Sequence, residues 1–313
     1  MSIAPYIKEI GRGKDGARPL SSEQAFDLLD QIFGGQVSDL EIGAFCLAMR
    51  IKGESVAELD GFLRAAHAHS IALADAASAF GRPVVVLPSY NGARKLPNLT
   101  PLLAWALTQA GMAVLVHGPL RDKTRVTTAE IFEQLGWPCV ADGIGLQAAW
   151  QQGLPGFMDI ATLCRPLSRL LDVRWVVGLR NPGHTVAKLL SPFDQADVPS
   201  IRVVNHTHPE YAHSLHDFLL HTRARAMLMR GTEGEPVADA RRQPKLDVFV
   251  DGAKRADLSR APQEGVLTSL PELPTDFSPT STADYIRQVI TGDRELPEAI
   301  RIQVDCLRQA LSV

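Results

Sequence analysis

The chain of 313 residues has no apolar run long enough to cross a bilayer as a helix. Its start, Ser2-Ile3-Ala4-Pro5-Tyr6, lacks the basic stretch followed by an apolar one that marks a signal peptide. Both absences point away from membrane insertion and export, so the expected compartment is the cytoplasm. The four cysteines, Cys46, Cys139, Cys164 and Cys306, form no CxxC pair, which argues against a catalytic or metal-binding cysteine and for reduced structural thiols. Positive charge is not in excess either: the formal net charge of −3 argues against a globally basic nucleic-acid binder. Helix-turn-helix pairs, zinc fingers and aromatic RNP motifs are missing, as are internal repeats and low-complexity segments. What remains is ordinary globular composition, 45% apolar and 21% charged, enough for one large domain or two smaller ones.

The charge is unevenly spread. Acids crowd the tail from Asp251 onwards, including Asp257, Glu264, Glu272, Asp276 and Asp284, so the preceding body is less acidic and keeps its cations in clusters. A local basic face is therefore compatible with the negative total.

The N-terminal part reads as helices. Ser21-x-x-Gln24, Ser38-x-x-Glu41 and Ser55-x-x-Glu58 are three capping-box patterns, each followed by apolar residues at helical spacing. Glu41 and Glu58 are thus read as capping residues. Three short helices in succession suggest a small bundle whose leftover apolar faces suit a dimer. The texture then changes to short apolar runs, Pro83–Leu87, Ala113–Val116, Ile201–Val204 and Ala226–Met229, separated by helical stretches over Thr100–Ala110, Thr128–Leu135 and Pro209–Leu220. That alternation predicts parallel strands with crossover helices. A helical stretch from Arg165 to about Leu190 interrupts it, and residues 235 to 282 read as irregular with one strand at Val248–Val250. The expected fold class is α/β: a small helical domain, residues 1–72 with about 165–192, and a larger domain, 73–164 with about 193–313, built on a mainly parallel sheet. Ligands of such sheets sit beyond the carboxyl ends of the strands.

Gly178-Leu179-Arg180-Asn181-Pro182-Gly183-His184 through Ser191-Pro192 is similar to the G-[IVN]-R-T-x(7)-L-x-N-P stretch of glycosyltransferase family 3, the family of anthranilate phosphoribosyltransferase and the pyrimidine nucleoside phosphorylases. Ile10-Gly11-Arg12-Gly13-Lys14, Pro88-Ser89-Tyr90-Asn91-Gly92-Ala93-Arg94-Lys95 and Arg180-Asn181 with His184-Thr185 resemble the YbiB-type paralogues more closely still. The resemblance spans nearly the whole chain. It implies the two-domain transferase fold, a homodimer formed through the helical domain and, for the YbiB-type group, nucleic-acid binding by a basic groove. Arg180 falls at the place of the family's aromatic-acid-binding arginine.

The family's catalytic motifs are altered here. A 5-phosphoribosyl diphosphate needs backbone N–H groups in Gly-rich turns. Where the family has G-T-G-G-D, this chain has Pro88-Ser89-Tyr90-Asn91-Gly92, and proline brings no donor. Where the family has K-H-G-N, this chain has Val116-His117-Gly118-Pro119. The Mg²⁺ motif D-G-x-D-E aligns with Glu233-Gly234-Glu235-Pro236-Val237, which leaves no acidic pair for a cation that wants carboxylate oxygens. Asn98, His117, Gly118 and Arg180 are the retained family positions.

No catalytic or metal-ligating residue is assigned, and no cofactor is expected unless an enzymatic activity with Mg²⁺ persists. The candidate nucleic-acid or phosphate-binding residues are Arg94, Lys95, Arg121, Lys123, Arg125 and Arg230, extended by Arg180, Lys188, Arg223 and Arg225. Lys8, Arg12, Lys14 and Arg18 add a basic arm or a merely mobile terminus. Tyr90 either stacks on a base or plugs the old ligand pocket. His206 and His208 supply too few ligands for zinc and read as the loop before a helix that begins near Pro209. The expected partners are the backbone of DNA or RNA and a second copy of the chain, with no membrane. Two readings stand: a non-sequence-specific nucleic-acid-binding homodimer, and a phosphoribosyltransferase or related family enzyme with altered phosphate recognition.

Overall fold

The computed structural model describes residues 2–313 apart from Lys14, Gln195 and 267–269, so Lys14 of the basic arm lies outside the described residues. The chain divides into two compact units, Met1–Ile71 with Ile160–Pro192, and Ala72–Asp159 with Phe193–Val313.

The first unit is helical: α1 (Ala4–Ile10), α2 (Ser22–Phe33), α3 (Asp39–Lys52) and α4 (Val56–Ala68) come from the N-terminal segment. All three capping boxes form, with Ser21, Ser38 and Ser55 accepting from the backbone three residues on and Gln24, Glu41 and Glu58 reaching back. Each box satisfies two donors that a helix start leaves orphaned. Glu58 does more. It is fully buried, accepts the N–H of Leu20 at 3.0 Å and pairs with Lys52 Nζ at 2.6 Å, tying the entry of α2 to α4. Lys8 lies on α1 and Arg12 pairs with Glu9 at 2.7 Å, so this part of the basic arm is folded. The insert is broken into α9 (Ile160–Leu163), α10 (Arg165–Asp172), α11 (Arg174–Val177) and α12 (Gly183–Leu189). Asn181 pins the turn before α12: its Nδ2 donates to Leu170 O at 2.7 Å and its Oδ1 accepts from Gly183 N at 2.9 Å.

The second unit opens with α5 (Ala74–Phe80) and contains β1 (Val84–Pro88), α6 (Thr100–Gln109), β2 (Ala113–Gly118), α7 (Thr128–Leu135), α8 (Gly143–Gln151) and β3 (Gly156–Asp159). It resumes with β4 (Ser200–His206), α13 (Pro209–His221), β5 (Ala226–Arg230), β6 (Leu246–Val250), β7 (Ala253–Lys254), α14 (Pro279–Thr291) and α15 (Glu298–Ala310). The described sheet has the order β3-β2-β1-β4-β5-β6-β7, parallel up to β5 and antiparallel beyond it. Valines 84, 85 and 86 with Leu87 are all fully buried, as a central parallel strand covered on both faces requires. Leu102, Leu103 and Leu107 of α6 and Ile286, Ile300 and Leu307 of the last two helices share one apolar cluster with the strands. Strand order reverses between β1 and β4, and a crevice at the carboxyl ends follows from that reversal.

Candidate functional site

The loop after β1 is the first wall of this crevice, and it is tightly packed. Ser89, Tyr90 and Asn91 are buried. Tyr90 Oη meets His117 Nδ1 at 2.7 Å, and the two rings pack edge to face. Tyr90 therefore plugs the pocket and presents no face for a base to stack on. The retained family positions hold the same loop. Asn98 donates to Thr128 Oγ1 at 2.7 Å and accepts from Thr100 N at 3.0 Å, fixing the start of α6. His117 is fully buried behind Tyr90. Gly118 lies so close to the loop that an added Cβ would stand 1.9 Å from Ser89 O.

The second wall is the turn after β5, residues 231–237. Glu235 is buried, and its Oε1 accepts the N–H groups of Asn91 at 2.7 Å and Gly92 at 2.6 Å. Its Oε2 accepts a short hydrogen bond from Ser89 Oγ and a long one, 3.5 Å, from Thr100 Oγ1. Glu233 Oε2 accepts three successive N–H groups, those of Arg94, Lys95 and Leu96, at 2.8, 2.9 and 3.1 Å. Asn91 Nδ2 donates to Glu233 O at 2.9 Å and comes so close to Gly234 that a Cβ there would stand 1.7 Å away. Gln303 of α15 supports the turn from below, donating to Pro236 O and accepting from Ala238 N. Burial pushes the Glu233 carboxyl up, but the three N–H bonds and the Arg125 charge outweigh it and hold the group below the usual carboxylate range.

The backbone donors that a phosphate loop offers to its ligand are thus filled by the chain's own carboxylates. No space for a water molecule remains between the loops after β1 and β2. A Mg²⁺–diphosphate does not fit these residues: Glu233 and Glu235 are committed to N–H donors, and Pro236 and Val237 carry no side-chain oxygen. Among the described residues no three His, Cys, Asp or Glu side chains group as a metal site. His208 stands at the N-cap position of α13 without a side-chain capping hydrogen bond, and the helix begins at Pro209 as its position suggests.

The candidate cations separate into groups. Arg94 and Lys95 are exposed on the loop after β1 and meet Glu233 through their backbone N–H groups, while Arg125 reaches Gly92 O at 3.4 Å beside the Ala93–Val126 bridge and acts on Glu233 through its charge. Arg230 is exposed at the end of β5. Lys123 is exposed on the loop after β2, and Arg121 on the same loop pairs with Glu133 of α7 at 2.6 Å. Arg223 and Arg225 do not extend this patch. They precede β5, whose four residue steps of roughly 3.3 Å span about 13 Å, so they lie at the amino end of that strand, the opposite end from Arg230. Arg225 instead donates to Ala310 O and Val313 O, both at 2.8 Å, capping α15. Arg180 and Lys188 belong to the helical unit; Arg180 is exposed after α11 and Lys188 half-buried on α12. Beside them, burial and the charges of Arg180 and Arg174 push His184 down to about 3, so it is neutral at physiological pH. Arg241 escaped sequence reasoning: it pairs with Asp239 at 2.7 Å and contributes to the field at Glu233. Its only sequence signal was proximity to the altered metal motif.

A separate cavity of about 770 Å³ opens near 240–243 and 293–299. Arg241, Arg242 and Arg294 face Glu272, Asp293, Glu295 and Glu298 around it, a mixture that selects neither sign of ligand.

A helical unit in one chain with an α/β unit on a mainly parallel sheet, with a phosphate-loop position at the strand reversal, defines a phosphoribosyltransferase-type scaffold. Residues 4–70 match the helical bundle domain of the glycosyl transferase family. The chain is 40% identical over 307 residues to the uncharacterized protein YbiB of Escherichia coli K12, covering 98% of this chain and 93% of that protein. It is 26% identical over 305 residues to anthranilate phosphoribosyltransferase of Methanopyrus kandleri, covering 93% and 83% respectively. In structure it is similar to anthranilate phosphoribosyltransferase of Saccharomyces cerevisiae in complex with PRPP and Mg, with a TM-score of 0.71 at 16% identity over 98% of this chain and 88% of that one. The anthranilate phosphoribosyltransferase of Thermus thermophilus gives a TM-score of 0.70 at 17% identity over 98% and 92%. The chain belongs to glycosyltransferase family 3, among its anthranilate-phosphoribosyltransferase-like, YbiB-related proteins.

Proposed function

We propose that this protein is a non-sequence-specific nucleic-acid-binding homodimer built on a transferase scaffold. The observation that carries the reading is the occupation of the phosphate loop by Glu233 and Glu235, while Arg94, Lys95, Lys123 and Arg230 stay exposed at the same end of the sheet. A phosphate loop already filled by the chain's own carboxylates, with exposed cations at the same end of the sheet, suits the outside of a polyanion. Contacts of this kind read phosphates and carry little sequence information. Leu40, Leu47 and Ile51 support the dimer. They are exposed at 84, 47 and 57% along one face of α3, and Val176 and Trp175 add exposed apolar surface in the same unit.

Gel shifts with DNA and RNA oligonucleotides over a salt series test the reading. Affinity falls steeply with salt, and Arg94→Glu and Lys123→Glu each weaken it and flatten the slope by roughly one phosphate contact. Unchanged binding in both variants removes this end of the sheet as the interface. Kinship with anthranilate phosphoribosyltransferases favours the second reading, an enzyme using Mg²⁺. Turnover of anthranilate with phosphoribosyl diphosphate and Mg²⁺ would establish it, and the filled loop predicts none. Sedimentation of Leu47→Glu, expected to be monomeric, tests the dimer.

A further inference from the structure

The two carboxylates of the turn after β5 are not equivalent. Glu235 is 1% exposed and is clamped on both oxygens, by two N–H groups and two hydroxyls. Glu233 is partly exposed and uses a single oxygen for its three N–H donors. It also sits at φ 51, in the left-handed region that a residue with a Cβ adopts at a cost. Three successive N–H groups converging on one oxygen form a concave anion receptor. Arg125 and Arg241 add positive charge around it, Arg241 while paired with Asp239, and the Arg94 and Lys95 side chains are exposed on the same loop.

We propose that the N–H groups of Arg94, Lys95 and Leu96 form an oxyanion receptor that Glu233 occupies as an internal stand-in, and that a phosphate oxygen displaces it. This deepens the nucleic-acid reading and rests on it for the natural ligand, a backbone phosphodiester; the receptor geometry stands without it. Displacement moves the Glu233 side chain outwards and leaves the incoming phosphate in the field of Arg125 and Arg241. Because the stand-in is tethered, its effective concentration is on the order of millimolar or higher, and a monovalent competitor at lower concentration does not dislodge it. A strand that also holds Lys123 and Arg230 brings several phosphates at once and does.

The test records amide resonances of Arg94, Lys95 and Leu96 in the full-length protein during titration with inorganic phosphate and, separately, with a poly-dT oligonucleotide. In the wild type the oligonucleotide moves these signals and low-millimolar phosphate does not. In Glu233→Ala both move them, and the oligonucleotide binds about tenfold tighter, as expected for freeing charge-assisted donors. Glu233→Gln, which keeps the side-chain length and loses the charge, falls between and serves if the alanine variant does not fold. Glu210→Gln controls for the bare loss of a negative charge, since Glu210 is exposed in the first turn of α13 after β4; its effect is about twofold or less. Amides that stay silent towards phosphate in both Glu233 variants overturn the receptor, even if oligonucleotide still binds. Amides that respond to phosphate when no variant binds oligonucleotide uphold the receptor and sink the nucleic-acid reading instead.

Discussion

Removing Glu235 should destabilise the α/β unit more than any other single change at this site. Truncation to alanine strands the N–H groups of Asn91 and Gly92, both buried, and deprives Ser89 and Thr100 of an acceptor. A buried donor left without a partner costs about 1–3 kcal/mol. Two such donors, less some local relaxation, give an expected loss of about 3–5 kcal/mol, a large share of the roughly 5–15 kcal/mol by which domains are stable. Urea unfolding followed by tryptophan fluorescence suits the purpose, because Trp105, Trp137 and Trp150 belong to this unit and only Trp175 to the helical one. With a slope of about 2 kcal/mol per molar urea, the midpoint should fall by roughly 1.5–2.5 M. Glu235→Gln keeps one acceptor oxygen and should lose about half as much. Acetate should restore part of the alanine variant's stability by refilling the cradle. A loss below about 1 kcal/mol would falsify the account, since the amides would then have found another acceptor at no cost.

Three further outcomes follow from particular contacts. Gly118→Ala places a Cβ 1.9 Å from Ser89 O, and because that atom is backbone the loop must move; thermal denaturation should show a loss of at least about 2 kcal/mol. Arg225→Ala removes the cap on the last turn of α15 and should cost about 1 kcal/mol while leaving oligonucleotide affinity unchanged, whereas weakened binding would return Arg225 to the interface. His184 should show no imidazole titration by NMR between pH 5 and 8. Its folded pKa of about 3 lies below the ordinary value of about 6.5, so the unfolded chain takes up the proton first, and the helical unit should lose stability as pH falls from about 6.5 towards 3.

The parts of the fold legible in the sequence are those fixed by neighbours. Ser21, Ser38 and Ser55 announce helix starts because both partners of a capping box lie within four residues. Strand polarity is local too, and it already places Arg223 and Arg225 at the amino end of β5; grouping them with the loops beyond its carboxyl end ignored the direction of the strand. The role of Glu233 and Glu235 was not legible. Their donors at residues 89 to 96 lie about 140 positions away, and as isolated letters in a degraded metal motif they show only that the acidic pair is lost. The helices α14 and α15 carry a period that the irregular, acid-rich region before them obscured, and with them went Gln303 and its grip on the turn after β5.

The chain passes between its two units three times, after Ile71, after Asp159 and after Pro192. During synthesis the first four helices therefore emerge without the segment that completes their bundle. About 90 residues of the other unit must be made first, which takes roughly 5–20 s at ordinary elongation rates. Through that interval α2 and α4 wait for α10 and α12, with apolar faces meant for them still open. Neither unit is a contiguous stretch that truncation can isolate. A free-standing helical unit requires joining Ile71 directly to Ile160, and nascent chains arrested between those two points are where chaperone binding and misassembly should concentrate.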